Sequence, residues 1–551
     1  MEKTWLESYP LGVPKEINPE KYSSVVALFD ECTKKYVDNA AFINMGSELT
    51  YCQLAQQARD FSAYLQQEMG LKKGDKFAIM APNILQYPIA LFGALKAGLT
   101  VVNVNPLYTA RELEHQLIDS DSKGILVVEN FAATLASVIQ NTAVEHVITT
   151  QLGDRVGFVK GAIINTVVKH VKKMVPNFTL PDCISFNNVL KKGRNLTLTP
   201  IDICANDLAF LQYTGGTTGV AKGAMLTHRN IVANMLQINA MLKPKMDENI
   251  EITVTALPLY HIFALTCNCL SFMTFGGANL LITNPRDLPA LIKTMKSYPI
   301  TVFTGINTLF NGLLNTEEFK DMDFSTLKLT IAGGMATQKS VADRWQETTG
   351  TTVLEGFGLT ECSPCVTSSP YNQTNFTGSI GIPVPSTDIK LLNDEGNEVA
   401  LGDAGEMWVK GPQVMQGYYN RPEETAEVFN DDWVATGDIA TVDNKGFFTI
   451  VDRKKDMILV SGFNVFPNEI EEVIAMIEDV IEVAVIGIPC VQTGEKIKVF
   501  LVTKSGKVDE AAFIAHCRTQ LTNYKIPKEF ELRKELPKSN VGKILRKELR
   551  E

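Results

Sequence analysis

Residues 213–224 read Tyr-Thr-Gly-Gly-Thr-Thr-Gly-Val-Ala-Lys-Gly-Ala and follow the apolar run Leu208-Ala-Phe-Leu211. The apolar run predicts a buried strand, and the sequence Thr227-His-Arg-Asn predicts the start of a helix behind the loop. Glycines let backbone amides approach an anion, threonine hydroxyls add donors, and Lys222 adds a positive charge. The stretch therefore predicts a phosphate-binding loop between a strand and a helix.

This loop does not fit the Walker pattern G-x-x-x-x-G-K-[ST]. Counting from Gly216 places Ala221 where the second glycine would stand and Gly223 where the hydroxyl residue would stand. An ordinary P-loop NTPase is therefore disfavoured. The alternative without a binding function is a surface turn rich in glycine and threonine.

Length and composition narrow the class of protein. A chain of 551 residues exceeds what one hydrophobic core usually organises, so we expect two or more domains. Its net charge of −10 argues against a general nucleic-acid binder. Ten cysteines without a disulfide-like rhythm, and the absence of a secretory leader, indicate a reducing cytosol. Cys362-Ser-Pro-Cys365 would need partner ligands to bind zinc.

The order of sequence patterns predicts an α/β fold. Between about residues 50 and 150, helical and strand patterns alternate, which is typical of a mostly parallel, doubly wound sheet. Such sheets bind ligands beyond the carboxyl ends of their strands. Beyond Gly378 the composition turns β-rich, which predicts a small distorted barrel attached to the large domain. Residues 456–551 read as a compact α+β unit.

Residues 252–285 contain no Asp, Glu, Lys or Arg. Pro258, His261 and the pair Gly276-Gly277 divide this run into pieces the size of strands, loops and helices. We therefore expect a buried segment of a large core rather than a transmembrane span.

A basic amphipathic helix is predicted over residues 160–175. Its apolar face comprises Ile163, Ile164, Val167, Val168, Val171 and Met174, and its other face comprises Asn165, Lys169, Lys172 and Lys173. Such a helix can lie on an anionic membrane. The alternative is a helix packed on its own domain with a solvated lysine face.

Three further motifs carry candidate functional residues. His261 lies in Leu257-Pro-Leu-Tyr-His261, where a histidine alone is more often a hydrogen-bonded core residue than a catalyst. Small residues in Ile331-Ala-Gly-Gly-Met335 leave room for a ligand against the backbone. In Glu355-Gly-Phe-Gly-Leu-Thr-Glu361, the aromatic ring can lie against a purine, the threonine can bind a phosphate oxygen, and Glu361 can bind Mg²⁺. Turns bounded by glycine would use the same residues.

Two later stretches carry charged candidates. Asp438 ends Trp433-Val-Ala-Thr-Gly-Asp438, and Arg453 follows in Ile450-Val-Asp-Arg453. A carboxylate and an arginine suit the two hydroxyls of a ribose, although a surface salt bridge would use the same pair. The closing stretch runs from Leu536-Pro-Lys-Ser-Asn-Val-Gly-Lys543 through Ile-Leu-Arg-Lys-Glu-Leu-Arg550, and by itself it reads as a basic terminal helix.

In this order the motifs resemble those of adenylate-forming enzymes, the superfamily of acyl-CoA synthetases, peptide-synthetase adenylation domains and luciferases. With Trp5-Leu-x-x-Tyr-Pro and Asn105-Pro-Leu-Tyr-Thr, the whole chain is most similar to bacterial long-chain fatty acid–CoA ligases. The resemblance implies a nucleotide site made by Tyr213, Thr214, Gly215, Gly216, Thr217, Thr218, Gly219, Lys222, Gly333, Gly334, Met335, Glu355, Gly356, Phe357, Gly358, Asp438, Arg453, Lys455 and Gly462.

The resemblance also implies roles in catalysis. Lys543 takes the position of the family's mobile catalytic lysine, Thr360 and Glu361 bind phosphate and Mg²⁺, and Thr217 is a second magnesium ligand. His261 is expected to line or gate the site rather than act as a base. The family often has Tyr where this chain has Phe357, so this chain lacks the hydroxyl that such a tyrosine would supply.

The function implied by the resemblance is activation of long-chain fatty acids with ATP, Mg²⁺ and CoA through an acyl-adenylate. A fatty acyl-AMP ligase or a luciferase-like oxygenase would share the motifs and differ in the acceptor. A non-catalytic sensor fits less well, because all four charged motif residues are intact: Glu361, Asp438, Arg453 and Lys543.

The domain organisation and the location follow from the same resemblance. An adenylation domain is expected over residues 1–454, with a mobile domain over 455–551 that hinges at Lys455. We expect a cytoplasmic enzyme that associates peripherally with the inner face of the cytoplasmic membrane and binds no nucleic acid. The sequence does not determine the oligomeric state, and a homodimer is kept as a candidate.

Overall fold

The computed structural model describes residues 3–214, 221–461, 463–490, 492–539 and 542–550. The first sheet has nine described strands, which from one edge to the other are Ile382–Pro383, Cys365–Ser368, Val353–Gly358, Leu329–Gly333, Val302–Gly305, Ile252–Thr255, Ala278–Leu281, Ala40–Asn44 and Ser47–Thr50. Its central pairs are parallel, and antiparallel pairs occur only towards its two edges.

The second sheet has seven described strands, in the order Ile184–Ser185, His146–Thr150, Ser122–Val128, Lys76–Met80, Thr100–Asn103, Leu208–Thr214 and Lys222–Thr227. All neighbours are parallel except the last pair, which is antiparallel. The strands are runs of apolar residues because helices cover both faces of each parallel sheet. This confirms the predicted doubly wound architecture.

Helices of the large unit surround and separate these two sheets. They are Val25–Lys35, Tyr51–Gln67, Gln86–Lys96, Ala110–Asp119, Ala132–Val138, Phe158–Thr166, Phe186–Gly193, His228–Leu242, Ser271–Met273, Leu288–Met295, Asn307–Leu314, Glu317–Lys320, Lys339–Thr349 and Pro422–Val428. In Gln86–Lys96 every residue before Lys96 is buried, as expected for a helix that is apolar on all sides. Phe92 stacks on Phe29, with 4.2 Å between the ring centroids.

The β-rich region predicted after Gly378 is an antiparallel sheet of five described strands: Asp388–Leu392, Gly405–Lys410, Phe429–Asn430, Trp433–Val442 and Phe448–Arg453. The pairs found among these strands form an open sheet. Strand pairing among the described residues therefore does not close the small barrel that was expected. A backbone bridge between Gly381 and Phe448 joins this sheet to the edge of the first.

The C-terminal unit is the α+β structure predicted from the sequence. Its described elements are the helices Pro467–Ala475 and Glu510–Gln520 and the strands Ile458–Val460, Phe463–Val465, Val480–Cys490, Gly494–Thr503 and Glu529–Leu532. The short hairpin Ile458–Val465 was not predicted. The last described residues form a single 3₁₀ turn, Arg546–Leu549, rather than a basic helix.

The uncharged segment 252–285 is buried, as predicted. It forms two strands of the first sheet, the π-helix Ala264–Leu270 and the short helix Ser271–Met273 between them. Across the described residues, the helices are all too short or too polar to cross a bilayer.

The helix predicted over residues 160–175 is Phe158–Thr166, followed by the π-helix Val167–Val171. The helix packs against the backbone of Gly153 at Gly161. Gly161 has no room for a side chain, because an added Cβ would lie 2.2 Å from the Gly153 carbonyl oxygen. The side-chain oxygen of Asn165 accepts a hydrogen bond of 2.8 Å from the Gly153 N–H. Asn165 therefore faces inward, and its prediction on the solvated lysine face is wrong.

The contact of this helix with Gly153 turns part of the predicted apolar face towards solvent. The glycine contact sets the rotation of the helix, and sequence periodicity contains no information about that contact. The exposed apolar side chains of this segment, with their exposed fractions, are Phe158 (93%), Val159 (69%), Ile163 (59%), Val171 (71%) and Met174 (52%).

Candidate functional site

The two ends of the predicted phosphate loop are held by an antiparallel strand pair. Thr214 lies opposite Lys222 in this pair, and Tyr213 lies opposite Gly223. The predicted helix begins at His228, and the side chain of Thr227 caps it. Gly215, Gly216, Thr217, Thr218 and Gly219 lie outside the described residues.

Tyr213 is anchored away from the loop. Its hydroxyl donates a 2.7 Å hydrogen bond to Asp119, at the end of the helix Ala110–Asp119. The other carboxylate oxygen of Asp119 accepts a 2.7 Å hydrogen bond from Arg421. The strand that enters the phosphate loop is thereby fixed to two distant parts of the chain.

Glu361 and Lys222 both contact Tyr418, a residue that lies outside the sequence motifs. Tyr418 donates its hydroxyl hydrogen to Glu361 Oε1 over 2.7 Å. The ammonium of Lys222 lies 5.1 Å from the centroid of the same ring. Thr360 and Glu361 begin a one-turn 3₁₀ helix that follows the strand Val353–Gly358.

The predicted purine pocket lies where two strands of the first sheet end. Gly333 and Gly356 are paired across these strands. A Cβ at Gly333 would lie 3.1 Å from the Phe263 ring, and one at Gly358 would lie 2.2 Å from the Pro364 carbonyl oxygen. Close packing therefore requires glycine at 358, whereas a side chain at Gly333 would need the Phe263 ring to shift slightly.

The segment after Gly333 is tied to the same strand end. Gly334 has a φ of +79°, a conformation that glycine adopts readily, and Met335 follows it half-buried. Glu355 accepts a 2.8 Å hydrogen bond from the Thr337 N–H. Burial raises the pKa of Glu355 to about 7, and the hydrogen bond partly opposes this rise. Phe357 is half-buried and packs against the apolar core of the antiparallel sheet.

Asp438 and Arg453 lie opposite each other on two antiparallel strands. Arg453 Nε is 3.2 Å from Asp438 Oδ1, and the Asp438 side chain is almost fully buried. Burial raises the pKa of Asp438, while three neighbouring cations, Arg453, Lys543 and Lys455, pull it down.

Lys543 reaches this pair from the far end of the chain. Its turn is closed by a hydrogen bond of 2.7 Å from the Ser539 N–H to the Lys543 carbonyl oxygen. Gly542, with a φ of +82°, packs against the start of the helix Asn307–Leu314, and an added Cβ would lie 2.5 Å from Ile306.

Positive charge is concentrated around Asp438. Burial lowers the pKa of Lys543 to about 8, with repulsion from Arg453 next in importance. Burial and Arg453 also lower the pKa of Lys455 to about 8. The positive charges of Lys543 and Lys455 are destabilised at this position. An anion bound there would reduce the repulsion between them, so the position favours anion binding.

His261 lines the same site as a neutral imidazole. Burial, with a contribution from Lys543, lowers its pKa to about 4. Its Nδ1 accepts the Phe263 N–H over 3.3 Å, which assigns the ring proton to Nε2. Since a group with this pKa is a weak base near neutral pH, the geometry agrees with lining rather than proton abstraction.

The donor set fits a magnesium ion that arrives with a nucleotide. Among the residues that the structure describes, no three His, Cys, Asp or Glu side chains form a cage for a metal. Mg²⁺ usually binds through one or two carboxylates together with substrate phosphates, and Glu361 supplies such a carboxylate. Thr217, the other predicted ligand, and Gly462 lie outside the described residues.

The structure brings several residues of the predicted nucleotide site together, because His261 and Asp438 both lie near Lys543. Two family models match the chain: "AMP-binding enzyme" over residues 29–419 and "AMP-binding enzyme C-terminal domain" over residues 469–543. The chain therefore belongs to the AMP-binding enzyme family, as the motifs predicted.

Curated relatives match over the full length. A long-chain-fatty-acid–CoA ligase of Yersinia pestis is 58% identical over 551 residues, which are 100% of this chain and 98% of that protein. A protein of the same name from Bacillus subtilis is 36% identical over 554 positions, with the same coverage. A feruloyl-CoA synthase of Amycolatopsis is 31% identical over 92% of this chain and 94% of its own length.

Solved structures share the fold. ATP-bound MatB from Rhodopseudomonas palustris superimposes with a TM-score of 0.82 at 27% identity, covering 96% of this chain and 98% of that one. The anthranilate CoA ligase AuaEII with anthranoyl-AMP gives a TM-score of 0.86 at 24% identity, covering 97% and 98%.

Proposed function

We propose that this chain is an ATP-dependent long-chain fatty acid–CoA ligase that works through an acyl-adenylate. The observation that carries the proposal is the docking of the Lys543 turn beside the Asp438–Arg453 pair. This docking supports the proposal because a cation from near the end of the chain then lies beside charged residues of distant motifs. Relatives from Yersinia pestis and Bacillus subtilis, matched over their full length, are named for this activity.

In the first step, a fatty carboxylate oxygen attacks the α-phosphorus of ATP, and the bond to pyrophosphate breaks. Negative charge grows on the phosphoryl oxygens, so the protonated amine of Lys543 stabilises the transition state. Lys222 and the backbone of the 213–224 loop hold the other phosphates. A magnesium ion held by Glu361 would neutralise phosphate charge.

The nucleoside is held by the remaining predicted residues. Asp438 accepts hydrogen bonds from the ribose hydroxyls, and Arg453 keeps its carboxylate oriented. The purine lies against Phe357, beside the strand ends at Gly333 and Gly356. The role of Glu355 is indirect in this proposal, because its carboxylate already holds Thr337.

In the second step, the CoA thiolate attacks the acyl carbonyl and AMP leaves with the electrons of the broken C–O bond. We assign Lys543 to the first step only. For the second step the small unit moves away from the pose that presents Lys543, and this movement forms the CoA site. We place the boundary between residues 1–454 and 455–551, with Lys455 as the hinge. Closure also keeps water away from the reactive adenylate.

A substrate panel tests the proposal. Laurate, palmitate and oleate should release pyrophosphate faster than acetate or ferulate, and each should consume one CoA for each ATP. If ferulate is turned over faster than the long-chain fatty acids, the result favours the activity for which the Amycolatopsis relative is named. Pyrophosphate release without consumption of CoA would favour the alternative, a fatty acyl-AMP ligase that passes the acyl group to another carrier.

We further propose that the segment 158–174 binds the inner face of the cytoplasmic membrane. Its exposed Phe158, Ile163 and Val171 supply apolar area, and Lys172 and Lys173 are exposed beside them. Apolar insertion together with lysines suits an anionic lipid surface. A homodimer also stays a prediction, which light scattering on the purified chain would test.

A further inference from the structure

Tyr418 contacts both charged groups at one end of the phosphate loop. Its hydroxyl donates to Glu361 Oε1 over 2.7 Å, and its ring lies under the Lys222 ammonium at 5.1 Å. The Tyr418 side chain is buried, with only 9% of its surface exposed. One side chain therefore contacts both a carboxylate and an ammonium.

The backbone around Tyr418 is fixed on two sides. Met415 donates its N–H to the Glu361 carbonyl oxygen over 2.8 Å, which ties the segment to the 3₁₀ turn of Glu361. On the other side, Tyr419 donates its N–H to the Gly223 carbonyl oxygen over 2.8 Å, next to Lys222. The phenol is thus held in a fixed position between the loop exit and the carboxylate.

We infer that Tyr418 is a positioning residue for adenylation, which orients the Glu361 carboxylate towards Mg²⁺ and the Lys222 ammonium towards the nucleotide phosphates. The inference rests on the proposed function. An ionised carboxylate only accepts hydrogen bonds, so the tyrosine is the donor. Its bond to one carboxylate oxygen restricts rotation and leaves the other oxygen for a cation.

Two separate contacts of Tyr418 support this role. Its hydroxyl donates the hydrogen bond to Glu361 Oε1. The ring supplies a second interaction, because a lysine ammonium is attracted to the face of an aromatic ring. Tyr418→Phe removes the hydroxyl and keeps the ring, which separates the two contacts.

The test compares nucleotide binding with and without metal, by calorimetry on the full chain. For Tyr418→Phe we expect the dissociation constant for MgATP to rise about tenfold, the range for a hydrogen bond to a charged group. ATP binding in EDTA should change by less than about twofold, since the ring still faces Lys222. The Mg²⁺ concentration for half-maximal pyrophosphate release should rise by a similar factor.

Tyr419→Phe is the matched control, because it makes the same change at the next residue, whose ring faces Lys76 instead. It should leave both dissociation constants unchanged. Glu361→Gln should abolish the tightening by Mg²⁺, and adding Tyr418→Phe to it should have no further effect on MgATP binding.

Some results would overturn the inference alone, and one would overturn the proposed function with it. If the wild-type chain binds ATP neither with Mg²⁺ nor in EDTA, the proposed function fails along with the inference. If it binds MgATP no more tightly than ATP in EDTA, the inference alone is wrong. The inference alone is also wrong if the wild type binds MgATP more tightly but Tyr418→Phe raises the dissociation constants for MgATP and for ATP in EDTA equally. The same conclusion follows if Tyr418→Phe leaves both dissociation constants unchanged, as Tyr419→Phe should.

Discussion

Arg546 and Asp452 face each other from opposite sides of the proposed hinge, with 3.5 Å between Arg546 Nη1 and Asp452 Oδ1. The Asn468 N–H donates to the other oxygen of Asp452 over 2.9 Å. Arg546 also pairs with Glu471, at 2.7 Å. Asp452 is fully buried just before the proposed hinge, so these contacts hold Arg546 and the turn of Lys543 in the observed pose.

Asp452→Asn should weaken this pose. The amide keeps the size of the side chain but loses the charge that Arg546 pairs with, so we expect adenylation to slow by about tenfold. Formation of the thioester from supplied acyl-adenylate should not slow. Asp394→Asn is the control, because it disrupts the exposed ion pair of Asp394 with Lys454, 3.1 Å apart, next to the hinge. Equal losses in both half-reactions would contradict the account.

The rate of adenylation should fall at alkaline pH. Lys543 has a lowered pKa of about 8, so its ammonium is present below that pH and is lost as the pH rises through it. The value of kcat/KM for pyrophosphate release, which reports the free enzyme, should therefore decline above about pH 8. Lys543→Arg should lower the rate but remove this decline up to pH 9.5, because a guanidinium stays charged.

Lys455 provides the control for this pH profile, because its pKa is also lowered to about 8. Lys455→Arg should keep the alkaline decline of the wild type. If the decline instead disappeared in Lys455→Arg and persisted in Lys543→Arg, the catalytic charge would belong to the hinge lysine.

Asp438→Ala should remove recognition of the ribose. Each hydrogen bond between a hydroxyl and a carboxylate contributes about 1.5–3 kcal/mol, so ATP affinity should fall by at least tenfold. The wild type should prefer ATP over 2′,3′-dideoxy-ATP, and the variant should bind both alike. Asp432→Ala, in an exposed pair with Lys410, should leave the preference intact. A variant that still prefers ATP would show that Asp438 serves only to hold Arg453.

Charge reversal on the exposed segment tests membrane binding. Lys172→Glu/Lys173→Glu should release the chain from anionic vesicles in sedimentation assays, because each lysine near such a surface contributes about 1 kcal/mol. Activity on laurate in solution should remain. Lys293→Glu/Lys296→Glu makes the same charge change on two exposed lysines elsewhere. If both pairs reduced vesicle binding equally, net charge alone would explain the effect.

The sequence was sufficient to predict the fold class, while the residues of the candidate site stay predictions. The apolar run Leu208–Leu211 and the capped helix start at Thr227 are local signals, and both lie where predicted. Asp438 and Arg453 were paired by resemblance, and the register of two strands explains why they meet.

The parts that could not be predicted depend on contacts between distant residues. Tyr418 lies 57 positions from Glu361, and no pattern in its own neighbourhood marks it as a partner. The contact between Gly153 and Gly161 decides which face of the 158–171 helix is exposed, although periodicity alone favoured another rotation. The hairpin Ile458–Val465 was missed because its strands have only three residues each.

The measurement that tests the central claim most directly follows both half-reactions in Lys543→Ala and Lys455→Pro. Losing the lysine donor should raise the adenylation barrier by about 2–4 kcal/mol, while supplied acyl-adenylate still reacts with CoA. Proline fixes φ near −65° and restricts the hinge, so Lys455→Pro should keep adenylation and slow thioester formation. If each substitution slowed the two half-reactions equally, the alternation of the small unit between two poses would be contradicted.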